Sequence, residues 1–83
     1  MNIVLYTKND CPLCEDTKQT LLSHKIPYQE KVIGIDITRD EVLELYPQAR
    51  IAPIITMDGV FVEKDNLNFV LFAWHQEKGN KND

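Results

Sequence analysis

With 83 residues, 43% of them hydrophobic, the chain can bury one small core, and it has no apolar run approaching the roughly 20 residues that span a bilayer. Thirteen acidic against nine basic side chains leave a net charge of −4, and the lysines and arginines are interspersed with acids, so there is no basic stripe for nucleic acid. The N-terminal Met-Asn-Ile-Val-Leu-Tyr carries no basic leader or signal-like apolar segment, so the expectation is a soluble, monomeric, cytoplasmic domain.

Residues 2–6 form a first strand, apolar on both faces as an interior strand requires. Close behind it stand Cys11 and Cys14, the only two cysteines. In a reducing compartment a lone pair at this spacing, beside a βαβ pattern, reads as redox-active rather than as a staple. Pro12 suits the first position of a helix, where its missing N–H has no partner to lose. Cys11 is then the N-cap, and the free N–H groups and positive end of the helix dipole favour its thiolate by about 0.3–2 kcal/mol. Cys14, about one turn further on, shares that face and can reach the Cys11 sulfur. Lys8 acts in the same sense as the helix terminus, and Asp10, Glu15 and Asp16 act against it. A structural zinc site needs four ligands; His24 and His75 stand in separate helices without finger spacing, so no metal is expected.

The first helix runs from Pro12 to Lys25, with Leu13, Thr17 and Leu21 at i, i+4 and i+8 and with Cys14 and Leu22 flanking them. Ile26-Pro27 ends it. Tyr28 to Ile33 supply a second extended run, which a right-handed crossover makes the parallel neighbour of the first. Thr38-Arg39-Asp40-Glu41 is a Thr-x-x-Glu capping box that opens a short helix, with Val42, Leu45 and Tyr46 facing one way and Pro47 as its stop. Ile51 to Met57, the Asp58-Gly59 pair and Val60 to Val62 read as a tight hairpin. A last helix starts near Asp65 or Asn66, places Leu67, Val70, Leu71 and Trp74 on one face, and stops at Lys78-Gly79. Tyr6, Phe69, Phe72 and Trp74 fall on strand and helix faces, as core or surface cover. The domain is expected to span residues 1–78, with 79–83 a flexible C-terminal tail.

The strand followed by Tyr6-Thr7-Lys8-Asn9-Asp10-Cys11-Pro12-Leu13-Cys14, together with Arg50-Ile51-Ala52-Pro53-Ile54-Ile55, resembles the glutaredoxins, and within them the short ones that bacteriophages carry. Ile51-Ala52-Pro53 stands where that family has Thr-Val-Pro. The resemblance covers roughly residues 1–75 and implies an α/β, thioredoxin-like fold: βαβ followed by α, β-hairpin and α, in a four-stranded mixed sheet with helices on both faces. It implies catalytic Cys11 and Cys14, and a substrate or glutathione site formed by Lys8, Pro12, Arg39, Ala52, Pro53, Asp65 and Asn66. It also implies that Ala52-Pro53 is a cis peptide beside the thiols, whose open backbone pairs with an incoming chain.

Where glutathione-using relatives carry Gly-Gly-x-Asp-Asp-Leu, this chain has Val62-Glu63-Lys64-Asp65-Asn66-Leu67. Losing both glycines predicts weaker use of glutathione, because glycine lets a ligand lie against the backbone. The chain is also similar to the glutaredoxin-like hydrogen donors of ribonucleotide reductase, which share Tyr-Thr-x-Asn-Asp-Cys and draw electrons from thioredoxin reductase. The expectation is a dithiol–disulfide oxidoreductase acting on protein or glutathione mixed disulfides, with ribonucleotide reductase as a partner. Glutathione is the expected reductant and thioredoxin reductase the alternative. Two readings from other classes are a noncatalytic thioredoxin-fold binding module and a glutathione-dependent iron–sulfur carrier; the intact Cys14 and Pro12 weigh against both.

Overall fold

The computed structural model describes residues 2–49, 51–63 and 66–81, the last five of them by backbone alone. In chain order these form β1 (Ile3–Thr7), α1 (Pro12–Ser23), β2 (Gln29–Val32), α2 (Arg39–Leu45), β3 (Ile54–Met57), β4 (Val60–Val62) and α3 (Leu67–Lys81). The strands make one mixed sheet in the order β2-β1-β3-β4. β1 runs parallel to β2 and antiparallel to β3, and β4 returns antiparallel beside β3. The strand apolar on both faces is therefore interior.

Alternation along the strands divides the core in two. Ile3, Leu5 and Ile55 face one side of the sheet, where they are buried with Leu21, Ile26, Val62 and Val70, and Leu67, Leu71 and Trp74 pack at the margin. Tyr6 and Ile54 face the other side and are covered by Val42 and Ala49, with Val4, Tyr46 and Phe61 partly buried against them. Thus α1 and α3 cover the first face and α2 the second. Among the described residues no helix is long and apolar enough to cross a membrane.

The ends of the elements are set by short-range chemistry. At α2, the Glu41 N–H donates to Thr38 Oγ1 and the Thr38 N–H to Glu41 Oε1, both at 3.1 Å, which closes the expected capping box. In the β3–β4 turn, Asp58 and Gly59 have φ of 52° and 84°, the doubly positive pair of a type I′ hairpin. After α1, Lys25 takes φ 57°; its N–H bonds the Leu22 carbonyl at 3.0 Å and that of Ile26 the Leu21 carbonyl at 2.9 Å. This is a Schellman stop with lysine where glycine is usual, and the buried contact of Ile26 with Leu21 accompanies it.

Several expected boundaries move. The buried stripe of α1 is Cys14, Thr17 and Leu21, and Leu13 is exposed: steps of three and four follow the 3.6-residue period, whereas two steps of four drift off the face. Leu45 is exposed, because the seven-residue α2 buries only Val42 fully. β3 begins at Ile54 rather than Ile51, since Pro53 has no N–H to give a ladder. Gly79 lies inside α3, which continues to Lys81; a glycine there costs about 1 kcal/mol relative to alanine without ending a helix. Phe69 and Phe72 are exposed, Tyr6 is buried, and Trp74 packs against the core margin.

Candidate active site

Between β1 and α1 the chain turns at Asp10, whose φ of 55° lies in the left-handed region that short polar side chains tolerate. The turn delivers Cys11 in an extended conformation as the N-cap of α1, with Pro12 in its first turn. The Cys14 N–H donates to Cys11 Sγ at 3.1 Å, and the Glu15 N–H donates to the Cys11 carbonyl at 3.1 Å. The two cysteines are joined as a disulfide with a Cα–Cα separation of 5.2 Å, inside the range such bridges occupy. Cys14 is 1% exposed and Cys11 8%, and it is Cys11 that lines a shallow surface depression with Asp10, Pro12 and Glu15. An incoming group therefore meets the Cys11 sulfur first.

A second concavity of about 190 Å³ is lined by Lys8, Arg39 and Ala52 together with Ile33, Val42 and Ile51. It gathers three of the expected ligand residues from separate parts of the chain. Lys8 and Arg39 are exposed, and Pro53 is buried beside Ala52. The Ala52-Pro53 peptide is cis, as the resemblance implied. Asn66 lies in a different depression with Gln48, Glu63 and Phe69, and Asp65 falls outside the described residues. Val62 corrects one inference drawn from the missing glycines. It is 8% exposed and belongs to the core on the α1–α3 side, so its side chain does not stand where a ligand backbone would lie; Glu63 is the exposed member of the pair.

A polar network that no sequence spacing announces joins β1, α1 and β2. Thr7 Oγ1 donates to Glu30 Oε2 at 2.7 Å, and Lys18 Nζ reaches the same oxygen at 3.1 Å. Lys18 also pairs with Glu15 at 3.1 Å. The Thr7 hydroxyl, and after it Lys18, hold the Glu30 carboxyl below its ordinary pKa; the hydrogen bonds to Glu30 and Glu15 raise that of Lys18. These residues sit on β1, α1 and β2, and only the parallel crossover brings them together. On the opposite face, burial and the neighbouring Tyr46 raise the pKa of the Tyr6 phenol, as expected of a core residue. Among the described residues no group of three or more histidine, cysteine or acidic side chains could hold a metal ion.

A four-stranded mixed sheet with a dithiol at the N-terminus of its first helix defines a thioredoxin-like redox protein. The chain belongs to the glutaredoxin family, a family of thiol–disulfide oxidoreductases, whose sequence model matches residues 3–62. Among solved structures it is similar to the thioredoxin-like protein BC3987, at 26% identity over 83% of this chain and 94% of that one, with a TM-score of 0.66. A single-residue variant of that protein superposes with a TM-score of 0.68, again at 26% identity, over 84% of this chain and 99% of that one. A diazinon-metabolizing glutathione S-transferase of the silkworm Bombyx mori is similar in fold alone, at 20% identity over 84% of this chain and 37% of that one, with a TM-score of 0.66. A search of curated protein sequences found no match.

Proposed function

We propose that the protein is a dithiol–disulfide oxidoreductase that reduces protein disulfides or glutathione mixed disulfides through Cys11 and Cys14. The observation that carries this reading is the Cys11 sulfur at the helix N-cap, accepting the Cys14 N–H and lying nearer the surface than Cys14. In the reduced protein that same N–H and the positive end of the helix dipole favour negative charge on the Cys11 sulfur. The Cys11 thiolate attacks one sulfur of the substrate disulfide; a Cys11–substrate S–S bond forms and the other substrate sulfur leaves as a thiolate. Cys14 then loses its proton and attacks Cys11 Sγ, releasing the second substrate sulfur and leaving the Cys11–Cys14 disulfide.

Regeneration takes two thiols from the reductant, which end as its disulfide. Glutathione is supported as that reductant by Lys8 and Arg39 lining one concavity with Ala52, since two cations beside an open backbone suit a peptide carrying two carboxylates. Thioredoxin reductase is the alternative electron source. Ribonucleotide reductase belongs to the proposal as a disulfide substrate, in a monomeric protein of the reducing cytoplasm. Reduction of the oxidised protein, followed separately with glutathione plus glutathione reductase and with thioredoxin reductase, each with NADPH, tests the reading. Turnover in the glutathione arm is expected. Turnover with thioredoxin reductase alone moves the protein to the second electron source, and failure of both arms together with dithiothreitol-driven insulin reduction overturns the enzyme.

A further inference from the structure

At the end of the molecule away from the cysteines, the fold joins two residues that lie 51 positions apart. His24 Nδ1 and His75 Nε2 are 3.2 Å from each other, both on exposed side chains. Their rings are inclined at 59° with centroids 5.4 Å apart, so they meet edge to edge rather than stacking. The geometry points to a divalent transition-metal site in which His24 and His75 are the two protein ligands.

Three observations support it. The first is distance: two imidazole nitrogens bound to one zinc at about 2.0–2.1 Å, at a tetrahedral angle, stand about 3.3 Å apart, so the pair needs little adjustment. The second is the frame. His24 is the C-cap residue of α1, held by its N–H to the Thr20 carbonyl at 3.2 Å and by the Lys25 and Ile26 bonds that follow it. His75 is on α3, which packs on the same core through Val70, Leu71 and Trp74. The third is charge: the last turn of α1 contains no basic residue, and the partial negative charge of a helix C-terminus favours a cation there.

The two nitrogens serve either as a hydrogen-bonded pair, with one carrying the proton, or as a chelate, with both protons on the outer ring nitrogens. Ion binding moves the proton of the donating ring to its outer nitrogen. Water completes the coordination, since the described residues supply no third ligand of histidine, cysteine or carboxylate type. Imidazole selects the zinc, nickel and copper class over magnesium and calcium. Bound there, the ion clamps the C-terminal end of α1 to α3, at the other end of a 12-residue helix from the cysteines, about 18 Å away at 1.5 Å per residue.

The test uses the full chain in its disulfide form, so that the cysteines offer no thiolate, titrated with zinc chloride at neutral pH by calorimetry and by NMR of the imidazole protons. One ion per chain is expected, shifting the resonances of both histidines and raising the unfolding temperature. His24→Ala and His75→Ala should each weaken binding at least tenfold, and the double variant little further, because a chelate fails when either arm is lost. Both side chains are exposed, so the variants keep the fold, which their circular dichroism checks. A Cys11→Ser/Cys14→Ser protein should bind like the wild type. Zinc uptake that is undiminished in both histidine variants, or absent from the wild type at millimolar ion, overturns the site.

Discussion

Glu63 and Val62 occupy the place of two family glycines, and the structure gives them different jobs. Glu63 is exposed, and its negative charge would oppose the carboxylates of a glutathione bound beside it; a surface charge term of this kind is worth about 1 kcal/mol or less, below the 1.4 kcal/mol that makes a tenfold change. Glu63→Gly should therefore raise glutathione-dependent turnover by less than about tenfold and leave dithiothreitol-driven exchange unchanged, which parallel steady-state assays would show. Val62→Gly should instead remove a buried side chain and cost about 2–3 kcal/mol, read as a lower urea midpoint. A glutathione gain from Val62→Gly without loss of stability would contradict the placement of that residue.

At the scale of elements, the capping box and the Thr7–Glu30–Lys18 network connect the fold to pH. Hydrogen bonds from the Thr38 backbone and hydroxyl hold Glu41 below the ordinary carboxyl pKa of 4.5, and the Thr7 hydroxyl does the same for Glu30. A carboxyl whose pKa is lower folded than unfolded stabilises the fold at pH above the unfolded value, and that contribution disappears as pH falls through the folded one. Urea midpoints should accordingly hold steady from neutral pH down to about 5 and fall below about 4.5. Thr7→Val, which keeps the shape but removes the donor, should flatten that fall; an identical acid limb in the variant would show that Glu30 carries none of it. Thr38→Ala should cost about 1 kcal/mol of stability at neutral pH.

These two features also mark how far the sequence could be read. Thr38 and Glu41 are three residues apart, so their mutual capping is a local pattern with one geometric outcome, as is Asp58-Gly59 in its turn. Cys11-Pro12-x-Cys14 is legible for the same reason. Glu30, Lys18 and Thr7 meet only after β1 and β2 pair, and His24 meets His75 only after α1 and α3 share a face; no spacing announces either contact. The Schellman stop at Lys25 escaped because the residue is not glycine, and the bounds of β3 moved with the proline that supplies no N–H.

For the whole molecule, the sheet order places the interior strand β1 so that its C-terminal end leads directly into the dithiol, while both cores lie behind it. That arrangement leaves Cys11 nearer the surface than Cys14, the order that the proposed exchange requires. The two thiols of the reduced protein should differ in reactivity accordingly, with iodoacetamide at neutral pH modifying Cys11 well before Cys14, as peptide mass mapping would record. The most direct measurement is mass spectrometry of the Cys11→Ser and Cys14→Ser proteins after exposure to oxidised glutathione. A stable mixed disulfide on Cys11 is expected when Cys14 is replaced, and neither adduct nor turnover when Cys11 is replaced. Adduct formation on Cys14 of the Cys11→Ser protein, at the rate seen for Cys11, would contradict the proposed roles.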